Sequence, residues 1–103
     1  MSEQSLQERY PEAIEVVRAF FAQFYGAQIG LAEDADRERV LFHVGKAQKI
    51  VAIGADFLEN SDLVEIRERL AAWNIAHLSR TLERGCVLNV TSDGPEEESE
   101  AAF

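Results

Sequence analysis

The chain is short of most features that announce a chemistry. It has one cysteine, Cys86, so it can form no internal disulfide and assemble no thiolate zinc cluster. A reducing compartment suits such a chain, and the cytoplasm is the expected location. Cations are scarce, with 10 Lys and Arg against 19 Asp and Glu and a net charge of −9. Nucleic acids and anionic membranes are gripped by Lys and Arg that displace counterions, so neither is expected as a direct partner. A basic protein partner, or solubility alone, fits this balance better. No apolar run approaches the roughly 20 residues of a membrane span. Residues 1–7 (MSEQSLQ) have neither the positive start nor the apolar stretch of a secretion signal. Phosphate-cradling glycine loops, dinucleotide fingerprints and serine-nucleophile elbows are missing as well.

What is there suffices for one small domain. The 103 residues are 47% apolar and 28% charged, ordinary globular usage. From Asp93 onward there are five acids and no Lys or Arg, which leaves about −4 for residues 1–92. The expectation is a single α+β domain over 1–92 and a disordered acidic tail over 93–103.

Hydrophobic period locates the elements. Tyr10, Ile14, Val17, Phe21 and Phe24 recur at helical spacing, and Val16 and Phe20 widen that stripe. Together with Pro11 near the start and Gly26 at the end, they predict one helix from about residue 8 to about residue 26. Residues 26–39 mix glycine with charge and read as a loop. Two β-branched runs, Val40–Val44 and Ile50–Ile53, flank a Gly45-Lys46-Ala47-Gln48 break and read as a hairpin. Asp62 with Glu65 has the form of a capping box. Leu63, Ile66, Leu70, Trp73 and His77 then repeat at helical period, with Asn74 as a possible break into two helices. Cys86–Thr91 is the last strand. The order is α-β-β-α-β, a two-layer sandwich. Its three-stranded mixed sheet would run in the order 2-1-3, with two helices on one face.

The candidate reactive groups are scattered. His43 lies mid-strand between Phe42 and Val44, where it is either a base on the open sheet face or a plain surface side chain. His77, one turn beyond Trp73, suits the boundary of the core. Cys86 follows Arg84, which would favour a thiolate, yet a strand cysteine is usually a small buried hydrophobe. Asp56, Glu59 and Asp62 cluster, but they match no calcium loop, and capping explains Asp62. A site of His43, Asp56, His77 and Cys86 is therefore the alternative reading, a small-molecule or catalytic pocket. A further alternative is an acidic inhibitor that imitates nucleic acid.

The first helix points elsewhere. Val16, Phe20, Phe24 and Tyr25 give it more apolar surface than one core-facing stripe requires. The leading expectation is a small, acidic, non-catalytic protein–protein interaction or accessory module. It would self-associate as a homodimer through those four residues or through a free sheet edge. No catalytic residue, metal or cofactor is assigned.

Overall fold

The single helix expected from about residue 8 to about residue 26 is two helices, divided at Tyr10 and Pro11. The structure, a computed structural model, describes residues 5–26, 29–83 and 85–99. In it α1 (Leu6–Arg9) is capped by the Ser5 hydroxyl, and Pro11 opens α2 (Pro11–Tyr25) at a position that needs no N–H donor. Strands β1 (Ile29–Asp34), β2 (Arg39–Val44) and β3 (Lys49–Gly54) follow. Next come helices α3 (Ala55–Asn60), α4 (Leu63–Ala72) and α5 (Ile75–Thr81), and strands β4 (Cys86–Thr91) and β5 (Gly94–Ser99) close the described chain.

The sheet corrects the expected architecture. Among the described residues it has five strands in the order β1-β2-β3-β4-β5, not three in the order 2-1-3, and five helices accompany it rather than two. Only β3 and β4 are parallel; the other neighbours are antiparallel. The last strand cannot lie beside the first hairpin strand because β1 already holds that edge, pairing Leu31 with Phe42 and Asp34 with Arg39. β1 was hidden by its glycine and its acids, which suit an edge strand as well as a loop. β5 was hidden by its charge. Gly94–Ser99 pairs with β4 through backbone groups, and that ladder needs no apolar side chain, so this part of the expected disordered tail is a strand. Glu100–Phe103 lie outside the described residues.

The expected hairpin is present as β2 and β3, with Val40 opposite Ile53 and Phe42 opposite Val51. The capping box is present too. The Asp62 carboxylate accepts from the Glu65 N–H at 2.8 Å, and the Glu65 carboxylate accepts from the Asp62 N–H at 3.3 Å. Asn74 does break the second helical stretch. Its left-handed backbone, φ 58°, ends one helix and starts the next.

One cluster of side chains forms the core. Val40, Phe42, Val44, Val51, Ile53, Leu88 and Val90 line one face of the sheet, and all five helices contribute residues against it. Phe21 meets Phe42 at 5.7 Å between ring centroids, and Phe57 meets Trp73 at 5.7 Å. The opposite face carries Leu41, His43 and Asn89, all half-buried. Truncating Phe42 should therefore cost about 3–5 kcal/mol. Leu41→Ala, one residue away but on the other face, should cost about 1 kcal/mol or less. Urea unfolding of the two variants measures both values, and equal losses would contradict this division of the faces.

Candidate functional site

The helical layer carries the apolar surface. On α2, Phe20 sits on the flank toward α4 and is 6% exposed, with its ring edge-on to Phe21. Phe24 lies one turn further, beside Phe20 at 5.2 Å, but near the end of the helix, and it is 43% exposed. The Arg80 guanidinium stands 5.9 Å from its ring centroid. Val16 is half-buried. Tyr25 is half-buried, and its hydroxyl meets Ser79 Oγ at 2.6 Å. Ser79 donates its one proton to the Ala76 carbonyl, so Tyr25 must be the donor to Ser79. Gly45 keeps the Tyr25 ring close, since an added Cβ there would come within 3.2 Å of it. Tyr25 is thus a strut between α2, α5 and the β2–β3 turn.

Two exposed residues were not singled out by the sequence. Leu63 is 41% exposed and Val64 65% exposed, both in the first turn of α4. Helical spacing placed Leu63 on the buried stripe, but its position at the helix start carries it past the edge of the core. With α2 they bound a depression of about 450 Å³ lined by Val16, Ala19, Gln23, Leu63, Val64 and Arg67. A second depression of about 240 Å³ lies between Phe24, Ala71, Asn74, His77 and Arg80. Phe20 lines both, so the two form one seam along α2.

The four residues of the alternative pocket do not meet. His43 lies on the open sheet face, opposite Gly30 and Ile50. Cys86 opens β4, where Val87 is the residue in register with Ile50, so Cys86 lies on the other face from His43. His77 is exposed on α5 in the helical seam. Asp56 is at the far end of β4, where its carboxylate accepts from the Ser92 N–H at 3.1 Å and the Ser92 hydroxyl at 2.7 Å. Glu59 is exposed and Asp62 is spent on the α4 cap.

The fold gathers other polar groups that sequence distance conceals. Arg39 on β2 is buried on the open face. It donates to Asp34 at 3.0 Å, to Asn89 at 3.3 Å and to Glu98 at 3.5 Å, reaching across β3 to do so. Glu98 also faces Arg37 at 3.5 Å. At the other end of the sheet the ligand atoms of Glu83, Cys86 and Glu97 lie within 4.8 Å of one another. Glu97 reaches Cys86 only because β5 pairs with β4, so no spacing in the sequence reveals that cluster. Both acids are exposed there, and nothing further in its surroundings points to a cation.

Together these features define a small α+β protein on a five-stranded mixed sheet, with its apolar surplus on the helical side. No protein-family model, curated protein or solved structure matches the chain. No helix of the described residues is long and apolar enough to cross a membrane.

Burial pushes the Asp56 carboxyl up, but the Ser92 hydroxyl, the Ser92 N–H and the N–H groups of Phe57 and Asp56 outweigh it and hold the pKa below its ordinary value. A lowered folded-state pKa stabilises the fold above the unfolded pKa, and that stability is lost as pH falls through the folded value. Asp56→Asn should cost about 1 kcal/mol at pH 7, a figure reduced for solvent exposure. The gap between variant and wild type should close as pH drops below the normal carboxylate range. Urea titrations at pH 7 and pH 3 test this, and an unchanged gap would refute it.

Proposed function

We propose that this chain is a non-catalytic protein–protein interaction module that receives a partner on its helical layer. The observation that carries the reading is the exposure of Phe24, Leu63 and Val64 around one seam. Large apolar side chains left in water next to a concave surface favour association, because covering them recovers hydrophobic free energy. The dispersion of imidazole, thiol and carboxylate supports the same reading. A nucleophile, a base and a positioning group need hydrogen-bond reach of each other, and His43, Asp56, His77 and Cys86 lie on different faces and at different ends of the sheet. The charge of −9 favours a protein partner over a polyanion. The single cysteine favours a reducing compartment, and we place the module in the cytoplasm.

Val64→Asp is the variant that tests the reading. Val64 is the second residue of α4, where an acidic side chain is favoured by the helix dipole, so the fold should survive. Wild-type protein used as bait in an extract of its native host should retain at least one partner that the Val64→Asp bait loses. Identical retained sets for the two baits would remove the helical layer as the working surface.

A further inference from the structure

We infer that the seam along α2, bounded on its other side by α4 and α5, is a cradle for an amphipathic helix of a partner protein, one whose apolar stripe is flanked by acidic residues. The inference rests on the interaction reading above and adds the chemistry of the partner.

Shape supports a helix. The seam runs beside α2 from Val16 to Phe24, a distance of about 12 Å at the helical rise. An α-helix presents side chains i, i+4 and i+7 on one face over about 10 Å, and helix-in-groove recognition uses that spacing. The two depressions, of about 450 and 240 Å³, separated by the Phe20 ring, offer places for apolar anchors at each end of such a face.

Charge supplies the sign of the flanks. In a chain of net −9, the side chains lining the seam include two arginines, Arg67 and Arg80, and one carboxylate, Glu68. Among the described residues neither Arg67 nor Arg80 has an ion-pair partner, whereas Arg18, Arg37 and Arg69 are each paired with a carboxylate and Arg39 with two. Arg80 rests against the Phe24 ring, at one end of the seam, and Arg67 lines the depression at the other. Carboxylates on a docked helix would find both cations on the rim, where charge sets the choice of partner and the rate of encounter. A second copy of this chain is a poorer occupant. Two-fold pairing would bring both copies' arginines to a shared seam that holds one carboxylate per copy, whereas an acidic helix brings the missing carboxylates with it.

The test is a selection from a displayed library of helix-forming peptides about 16 residues long. The bait is the full chain, with Val64→Asp protein as counter-selection. Enriched peptides should carry large apolar residues at helical spacing and an excess of Asp and Glu beside them. Their Kd should weaken tenfold or more in Arg67→Glu/Arg80→Glu, and binding should be lost in Val64→Asp. Failure to enrich, enrichment of Lys- or Arg-flanked peptides, or affinity indifferent to the charge reversal would each overturn the inference. Sedimentation of the bait alone separates the remaining case. A wild-type dimer that Val64→Asp turns into a monomer puts a second copy in the seam, which overturns the acidic-helix proposal and leaves the interaction reading standing. Loss of that reading would show instead as host partners retained equally by both baits.

Discussion

β3 and β4 lie side by side and run in the same direction, and a chain can make that pair only by crossing the sheet between them. The crossing segment holds α3, α4 and α5, which drape Phe57, Ile66, Leu70 and Ile75 over the sheet. α2 shares the same face, where the largest apolar side chains of β2, β3 and β4 point. It buries Val17 and Phe21 completely and turns Phe20 toward α4. What does not fit beneath these helices is left at their ends. Phe24 is in the last turn of α2, and Leu63 and Val64 are in the first turn of α4. The exposed seam is thus a consequence of fitting a helical crossover and a separate helix on one face of the sheet.

The other face depends on a single guanidinium. Arg39 is buried without a helix above it, and a buried charge survives only where carboxylates and hydrogen-bond acceptors surround it. Asp34 from one edge strand and Glu98 from the other meet that need, with Asn89 between. Gly54 is Arg39's register partner and Ala52 lies two residues before it, so β3 presents small side chains where the guanidinium crosses it. The network ties β1 and β5, both rich in acid, to the centre of the sheet. It also holds Asp34, Asn89 and Glu98 of this face in structural pairs, away from His43.

Legibility in the sequence followed the strength of local signals. The helical stripe of residues 10–24, the hairpin of β2 and β3, and the Asp62–Glu65 cap each rest on neighbours within a few positions, and each is present. β1 and β5 carried no such signal. Their place depends on an open strand edge elsewhere in the chain, and the residues that mark them, Asp34 and Glu98, find their shared partner in Arg39, on another strand. Of the surface residues, Phe24 could be read from the excess width of the first helix. Tyr25 looked alike on a helical wheel, but Ser79 and Gly45 claim it. Leu63 and Val64 belonged to no visible excess.

The amino-acid sequence alone determined that the chain is α+β, that helix covers most of residues 11–25 and 63–81 and strand most of 40–53 and 86–91, and that its apolar residues outnumber one core-facing stripe. Those properties come from periodicity and capping, which act over one or two turns of chain. Tertiary structure decided the number and order of the strands, the fate of the acidic C-terminal segment and which apolar side chains stay in water. Each of these is settled by competition for an edge or a face between segments far apart in the chain, and the outcome is written in no single one of them.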